Sequence, residues 1–472
     1  MASPDNVQKR LNFSTKLYYG LASLGTATVS SIFAALLPIF YQDYLGLSAR
    51  WIGVASAIYA VWNAINDPLF GFITDNTRSK LGRRIPYMRF TAPFLGLTFV
   101  LVWFAPEGAG EIALFWWMLV TMLLYDTGYT IIGLVHGALM PELSVSDVER
   151  NQLSISSALF GLMGYVFGFL LPDLFRPQAG EDQTLLSLRL SMLAVGIIAT
   201  FLIILTTLKV KERREFAIID EPLRFWESLR FTLTNKSFWV FVTMNFLLTL
   251  MHSLATGSIF YLADYVTRTS TMILLIYLFV PLAIGIPLAN PMVKKFGLIR
   301  AQQIYMLVGG LGLVSLAFIP VNLIYISLIV AGIGLSGQQT VTYNILAYVI
   351  DDDEIRTGHR REGAFFGANA LLTKPAQSLS LFLTAFILEQ SGFVTRAMNA
   401  GQIFLDQSES ALFGIRTIVG LIPGLAMLIS VVILYFFPLQ GERLRAMKAE
   451  ILKMHSQKEA RLEALERAGE IK

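Results

Sequence analysis

Twelve apolar segments, each about 18 residues or longer, recur along this chain of 472 residues and mark it as a membrane protein. Hydrophobic residues make up 55% of the sequence and charged residues only 15%, whereas soluble chains carry about 25% charged residues. Cysteine is absent, so disulfides and thiolate metal sites are excluded. The segments are expected at 18–43, 51–75, 87–105, 112–140, 153–175, 187–208, 237–266, 271–292, 301–319, 322–350, 364–390 and 412–437.

The basic residues are unevenly distributed between the two sides of the membrane. With the amino terminus inside, the cytoplasmic segments hold 30 of the 37 Lys and Arg residues. The opposite loops hold six and Lys374 lies within a segment, which is the positive-inside asymmetry. It predicts a multi-pass protein with both termini cytoplasmic. The expected location is a cell membrane of the bacterial inner-membrane type. The net charge of +4 therefore reports topology, and the expected surroundings are a lipid bilayer rather than nucleic acid.

The longest internal polar stretch divides the chain into two halves with weak internal symmetry, as expected for transporters built from repeats. After the last segment, Leu444, Met447, Ile451 and Leu452 fall at helical spacing among mixed charges, which predicts a solvated or surface-lying amphipathic helix. The predicted domains are a six-helix bundle at 1–208, a cytoplasmic central loop at 209–236, a second six-helix bundle at 237–437 and a cytoplasmic amphipathic tail at 438–472.

Acidic and amide side chains lie in the middle of two apolar segments. Asn63, Asn66 and Asp67 share one helical face of the second segment, and Asp126 and Thr130 share a face of the fourth. A buried carboxylate costs at least about 2.5–3.5 kcal/mol and usually marks an ion or substrate path. Carboxylate, amide and hydroxyl oxygens suit Na⁺ or a proton. Alternatively, Asp67 bonds backbone freed by the adjacent proline, and Asp126 makes a helix–helix hydrogen bond or pairs with a cation.

A lysine lies equally deep in the eleventh segment. Lys374 is about ten residues from either end of its span, so it should neutralise or find an acid such as Asp67 or Asp126. We expect it to couple cation occupancy to substrate closure. Aromatic residues near the predicted site could offer a stacking surface to a sugar, although ordinary packing explains each equally well. They are Trp62, Tyr125 and Tyr129.

The loop after the second segment resembles the signature of the major facilitator superfamily, D-x-x-x-R-x-G-R-R. Its residues here are Asp75, Arg78, Gly82, Arg83 and Arg84. The glycine permits a tight turn, and the cations can pair with Asp75 and with helix C-termini to lock one conformation. A positive-inside loop without a gating role is the alternative.

Further motifs resemble the glycoside–pentoside–hexuronide:cation symporter family, which includes melibiose permease. The tract 351–363 fits its loop pattern D-x-x-D/E-x-x-T-G-x-R-x-E-G, and 63–68 is similar to its helix-2 motif. Lys374 falls where that family has a helix-11 lysine. The resemblance adds Arg361 and Glu362 to the expected cytoplasmic gate.

The chain also departs from that family. Asn63 replaces the first helix-2 acid, so one carboxylate remains where the family has two. The galactoside-binding positions hold residues that cannot bind sugar in that way, so recognition of that type is not expected. They are Ala27, Gly133, Gly137 and Ala158.

The resemblance implies an all-α, twelve-transmembrane-helix major facilitator fold of two pseudo-symmetric six-helix halves. The expected function is cation-coupled symport of a small, sugar- or glycoside-like solute by a monomer that needs no cofactor. An amphiphile or lysophospholipid transporter is the alternative within the family, and a non-transporting sensor is a third possibility. No nucleotide loop, catalytic triad spacing or metal cluster indicates an enzyme. Because a single helix-2 acid suits a proton better than Na⁺, H⁺ is favoured as the coupling ion, unless helix 4 turns Asp126 toward helix 2.

Overall fold

The computed structural model describes residues 11–79, 81–175, 185–213, 225–394 and 406–468, and every regular element within these ranges is helical. We number the helices of eight or more residues in chain order. They are α1 Phe13–Ile39, α2 Ala49–Asp75, α3 Ile85–Trp103, α4 Glu111–Leu143, α5 Asp147–Phe175, α6 Leu186–Lys209, α7 Phe225–Thr234, α8 Lys236–Gly257, α9 Thr271–Phe296, α10 Leu298–Phe318, α11 Ile324–Thr340, α12 Thr342–Thr357, α13 Glu362–Thr373, α14 Pro375–Gln390, α15 Glu409–Arg416, α16 Ile422–Tyr435 and α17 Gly441–Arg467.

Most of the predicted membrane segments are recovered as long apolar helices. Among the described residues, nine stretches are long and apolar enough to cross a membrane: α3 to α6, α8 to α10, and the pairs α11–α12 and α15–α16. The other three predicted segments correspond to α1, α2 and the pair α13–α14. In α2, the residues Asn63, Asn66 and Asp67 lower the mean hydropathy, and Lys374 separates α13 from α14.

Contacts divide the chain into two compact units. Unit 1 contains Met1–Thr232, Ile350–Leu371 and Met447–Lys472, and unit 2 contains Leu233–Val349 and Leu372–Ala446. Two segments that follow the central loop in sequence thus belong to the same unit as α1 to α6. The first of these segments brings the end of α12 and most of α13 to the signature loop between α2 and α3. The second brings most of α17 to the end of α12 and the start of α5.

Small residues let the helices of unit 1 approach closely. Helix α1 packs against α5 and α6, and α3 packs against α4 and α6. A Cβ added to Gly96 of α3 would lie 2.8 Å from the carbonyl oxygen of Gly196 on α6. Such contacts replace the hydrophobic driving force that lipid does not supply. A large buried apolar cluster, which includes Phe99 and Trp103, fills the space between these helices.

Unit 2 follows the same packing rules. Helix α10 packs against α11 and α16, α9 packs against α11, and α8 packs against α14 and α16. Gly309 of α10 meets Gly334 of α11, where an added Cβ would lie 3.1 Å from the facing Cα. Lys374 belongs to this unit and immediately precedes Pro375, the first residue of α14.

The carboxy-terminal tail forms a helix, as its spacing predicts, but one of its faces is buried. The buried residues of α17 are Met447, Ile451, His455, Lys458 and Leu462, each at most 8% exposed. Lys448 also contacts Asp147 at the start of α5, with 2.5 Å between Nζ and Oδ2. The expectation of a solvated or surface-lying helix is therefore wrong for this face. The tail packs into unit 1 through charged as well as apolar side chains.

Candidate cation site and cytoplasmic charge cluster

Helix α2 carries three of the predicted cation ligands on one face. Its interior Pro68 cannot donate a backbone hydrogen bond, which frees a carbonyl in the preceding turn. Asn66 is fully buried and Asp67 is 8% exposed, while Asn63 is half-buried. Gly367 of α13 packs directly on this turn, since an added Cβ would lie 2.7 Å from the carbonyl oxygen of Asp67. The Asp67 turn is thus enclosed within unit 1.

Helix α4 turns Asp126 toward α2. The hydroxyl of Tyr59 donates to Oδ1 of Asp126 at 2.9 Å, and Nδ2 of Asn66 donates to Oδ2 at 2.6 Å. Asp126 is 2% exposed. Both carboxylate oxygens therefore accept hydrogen bonds from neutral groups on α2, and these bonds join the two helices that carry the midspan acids.

Oxygen atoms at this junction are available to a cation. Oδ1 of Asn66 is buried and accepts no hydrogen bond from any described residue, although Nδ2 of the same amide contacts Asp126. Thr130, one turn after Asp126 on α4, is 6% exposed. Tyr59 and Tyr129 each lie within electrostatic range of both Asp67 and Asp126. The two acids thus share one environment, rich in the oxygen ligands that Na⁺ prefers.

The three aromatic residues proposed for substrate stacking lie close to this site but make protein contacts. Nε1 of Trp62 donates to Oγ1 of Thr127 at 3.1 Å. Tyr125 is 2% exposed and stacks on Phe33 and Tyr129, with ring centroids 4.3 Å and 6.0 Å away. These contacts are those of packed core residues, and the substrate role of Trp62, Tyr125 and Tyr129 stays a prediction. The role of Lys374, in unit 2, also stays a prediction.

Asp75 and Arg84 of the signature loop hold the start of α13. The Asp75 carboxylate accepts hydrogen bonds from the backbone N–H groups of Gly363 at 3.0 Å and Ala364 at 2.7 Å, and pairs with Arg84. A carboxylate at a helix N-terminus is stabilised by the orphan N–H groups and by the helix dipole. The loop between α2 and α3 is thereby fixed to a segment almost 290 residues later in the chain.

The two arginines of the signature converge on Glu362. Arg83 lies 3.1 Å and Arg84 lies 3.0 Å from Oε2 of Glu362. Arg83 also donates to the carbonyl of Arg360 at 2.8 Å. Burial acts to raise the pKa of Glu362, but Arg360, Arg83 and Arg84 outweigh it and lower that pKa to about 2. Glu362 is therefore held as a carboxylate by its guanidinium neighbours.

The other predicted gate residues lie beside this pair. Arg78 donates to the carbonyls of Asp75 and Thr77, both at 3.2 Å. Arg361 pairs with Asp353 and stacks over the rings of Phe231 and Phe365. Gly82 has a φ of +105°, so its backbone conformation favours glycine.

The ion pairs around Asp75, Arg83, Arg84 and Glu362 form a cluster that we call the cytoplasmic charge cluster, after the side of the membrane predicted for it. Sequence reasoning missed several of its members. Arg150 forms a bidentate pair with Asp351 at 2.7 and 3.0 Å, across 201 residues of sequence. Arg360 contacts Glu354 at 2.5 Å and donates to the carbonyl of Pro141 at 2.6 Å. The acidic and basic run at 351–361, taken alone, is typical of a solvated loop. The match of this run to the loop pattern of the symporter family was the signal that could have indicated that its charged side chains are buried. The other missed members are Glu142, Glu212, His455 and Lys458.

Comparison with known proteins places the chain among transporters. The sequence profile of the family described as MFS/sugar transport protein matches residues 18–441. An uncharacterized symporter of Synechocystis sp. is 26% identical, with 91% of this chain and 95% of the relative covered. The glucuronide carrier protein homolog of Escherichia coli is 23% identical, with 94% and 96% covered. The human sodium-dependent lysophosphatidylcholine symporter 1 is also 23% identical, with 94% and 89% covered.

Solved structures confirm the predicted fold class. The E. coli fucose:proton symporter superposes with a TM-score of 0.68 at 15% identity, covering 91% of this chain and 99% of that one. A proton:xylose symporter superposes with a TM-score of 0.63 at 14% identity, covering 93% and 98%. At this level of identity the likeness shows the fold alone.

Proposed function

The chain belongs to the MFS/sugar transport family, a family of transporters rather than enzymes, and from that premise we propose that it is a cation-coupled symporter. It moves a small organic solute by alternating access and binds its coupling ion between α2 and α4. The observation that carries the proposal is the 2.6 Å hydrogen bond between Asn66 and Asp126, which joins the two helices bearing the midspan acids. Buried acids on two helices joined in this way are costly in lipid and are therefore expected to serve transport.

The position of Asp126 favours Na⁺ over H⁺, which reverses the preference drawn from sequence. One acid among amides suits a proton, whereas two acids with neutral oxygens suit Na⁺. Helix α2 has asparagine at position 63, where the resembling family has a second acid. Asp126 on α4 provides a second carboxylate beside Asn66. Asp67 and Asp126 then carry the charge, and Asn66, Thr130 and Asn63 supply neutral oxygens. Lys374 links occupancy of this site to substrate closure.

The cytoplasmic charge cluster acts as the gate of the proposed cycle. Arg83 and Arg84 hold Glu362, and Asp75 caps the start of α13. Opening toward the cytoplasm requires the segment Ile350–Leu371 to leave the signature loop, which breaks these contacts together. Buried ion pairs of this kind favour discrete arrangements, because half-broken pairs leave charges buried without compensation.

A sugar- or glycoside-like solute is the proposed substrate class. Support comes from the description of the matching family and from the glucuronide carrier homolog. Lysophospholipid is the second candidate, because sodium-dependent lysophosphatidylcholine symporters are similar over most of their length. We further propose that the protein is a monomer in a bacterial-type cytoplasmic membrane. The distribution of basic residues supports an orientation with both termini inside.

Purified protein in proteoliposomes tests this function. Uptake of labelled glycosides, hexuronides, pentoses and lysophosphatidylcholine is measured with an inward Na⁺ gradient, an inward H⁺ gradient, or neither. We expect concentrative uptake of a glycoside-like solute with Na⁺ and only equilibration without a gradient. Accumulation driven by H⁺ alone would reassign the ion, accumulation of the lysophospholipid alone would reassign the substrate, and no gradient-driven accumulation of any compound would refute symport.

A further inference from the structure

Glu212, in the central loop just after α6, binds the backbone of the signature loop. One carboxylate oxygen accepts the N–H of Arg83 at 2.6 Å. The other accepts the N–H of Arg84 at 2.7 Å and also the N–H of Ile85. Three consecutive backbone donors at the start of α3 therefore converge on one carboxylate that is more than 120 residues away in the sequence.

Helix α3 depends on this carboxylate for its N-terminal cap. The residue at its N-cap position is Arg84, whose side chain makes no capping hydrogen bond. The first N–H groups of a helix have no intrahelical acceptor, and a negative charge there is also favoured by the helix dipole. Glu212 thus does for α3 what an N-cap serine or aspartate does locally in other helices.

Gly82 makes room for the contact. Its φ of +105° is unfavourable for other residues, and a Cβ at this position would overlap the Glu212 carboxylate. The glycine of the signature therefore serves the close approach of Glu212 as well as the turn. Burial raises the pKa of Glu212, while the N–H donors of Ile85 and Arg83 act to lower it.

The backbone groups held by Glu212 carry the side chains of the gate. Arg83 reaches Glu362 and the carbonyl of Arg360, and Arg84 reaches Glu362, Asp75 and Thr74. Because both arginines make several contacts at once, a shift of their Cα atoms disturbs all of them. The next residue, Arg213, contacts Nδ1 of His455 at 3.3 Å, so the same loop segment also meets α17.

We propose that Glu212 is a positioning residue of the cytoplasmic gate: by fixing the backbone at Arg83, Arg84 and Ile85, it holds both gate arginines on Glu362. The inference rests on the proposed gate and extends it, because it makes the start of the central loop part of the switch. Release of Glu212 frees the N-terminus of α3 and loosens the hold on segment Ile350–Leu371.

Accessibility of an engineered cysteine tests this assignment. The sequence has no native cysteine, and Ala368 on α13 is 1% exposed, so Ala368→Cys gives a signal without background. Inside-out vesicles are treated with an impermeant maleimide. We expect Glu212→Ala to raise the labelling rate about tenfold, within the 5–150-fold range of conformational couplings. Glu212→Gln should give a smaller increase, and Glu212→Asp the smallest, because aspartate keeps the carboxylate on a shorter stem.

Two further variants distinguish failure of the positioning role of Glu212 from failure of the gate itself. Glu227→Gln, at an exposed acid on α7, should label like the parent. Arg83→Gln reports on the gate itself. Faster labelling in Arg83→Gln with no change in Glu212→Ala would overturn the positioning role and leave the gate intact. No change in either would refute the gate. If Glu212→Ala does not fold, equal labelling of the parent, Glu212→Gln and Glu212→Asp would overturn the assignment.

Discussion

The midspan site and the cytoplasmic charge cluster both bury carboxylates in unit 1, but their hydrogen-bond donors differ. In the cytoplasmic cluster, Glu362 is contacted by guanidinium groups and Asp75 by a guanidinium and backbone N–H groups. At the candidate cation site between α2 and α4, which we call the midspan site, the contacts of Asp126 include two neutral donors, the Tyr59 hydroxyl and the Asn66 amide. Burial alone therefore does not distinguish a gate from a binding site. We propose that the chemistry of the donors makes the cytoplasmic charge cluster a gate and the midspan site a binding site.

The difference has a consequence for transport. Guanidinium partners neutralise a carboxylate as long as the pair is intact, and the pair must be separated to open the cluster. Neutral donors orient a carboxylate without cancelling its charge, so the charge still attracts a cation. The cytoplasmic cluster is thus suited to hold one conformation, and the site between α2 and α4 is suited to bind an ion in each cycle.

The largest effect is expected at the midspan site. Asp67→Asn keeps the size of the side chain and removes its charge, so gradient-driven accumulation should be abolished while expression and substrate exchange persist. Proteoliposome uptake and counterflow measure the two activities separately. Asp406→Asn, at a surface aspartate that is 87% exposed in its side chain, is the control and should transport normally. Normal concentrative uptake by Asp67→Asn would remove Asp67 from the ion site.

In the cytoplasmic charge cluster, loss of one guanidinium group should reduce the stability of the protein. Arg360→Ala leaves Asp351, Glu354 and Glu362 buried with less compensation, which should lower the free energy of unfolding by about 3–5 kcal/mol. Melting temperature in detergent measures this change. Arg467→Ala is the matched control, because its pair with Glu463 is exposed and is expected to contribute only about 0.3–0.5 kcal/mol. Equal melting temperatures for the two variants would show that the cluster does not stabilise unit 1.

The fold was predictable because it follows from local signals. Apolar runs give the segments, and the acids at Asp67 and Asp126 stand out against their neighbours. The orientation drawn from the basic loops stays a prediction. The predicted helical tail was also confirmed. These features depend on composition and spacing within about 20 residues, which sequence alone supplies.

The cluster was less predictable because its partners are distant in sequence. Arg150 and Asp351 are 201 residues apart, and Glu354 meets His455 across 101 residues. A charge run such as 351–361 is solvated unless a partner buries it, and local sequence does not reveal that partner. The direction of Asp126 was likewise open, because the sequence fixes its helical face but not which neighbour that face meets.

Asp126 on α4 is proposed to replace the second acid that α2 lacks at Asn63, and substitutions at both positions test this. Na⁺ should raise the melting temperature of substrate-free protein, and K⁺ or choline should not. A ligand at about 100 times its Kd stabilises by about 2.7 kcal/mol. Asp126→Asn should abolish this stabilisation, and the double variant Asn63→Asp, Asp126→Asn should restore it by returning a second acid to α2. Saturable Na⁺ stabilisation that survives in Asp126→Asn would exclude Asp126 from the site. Its absence from the native protein, with proton-driven uptake intact, would restore H⁺ as the coupling ion.

The smallest effect concerns the edge of the cytoplasmic cluster, where His455 of α17 meets it. Nε2 lies 2.9 Å from Glu354, and Arg213 and Arg360 each approach a ring nitrogen at 3.3 Å, with Lys458 beside Glu354. Neutral histidine fits when Nε2 donates to Glu354 and Nδ1 accepts from Arg213. Burial, with Arg360 and Arg213 nearby, lowers the pKa of His455 below its usual 6.5 despite the opposing effect of Glu354.

A lowered pKa in the packed state means that the released tail binds a proton more readily than the packed tail does. Packing of α17 is therefore strongest above pH 6.5 and should weaken as the pH falls below it, by at most about tenfold per pH unit for one proton. Hydrogen exchange of residues 447–462 between pH 7.5 and 5.5, corrected for intrinsic rates, measures the change. His455→Gln keeps an amide donor and cannot titrate. In this variant, the exchange protection of residues 447–462 should therefore lose the pH dependence that His455 causes in the parent. Equal pH dependence in both proteins would show that His455 does not control packing of the tail.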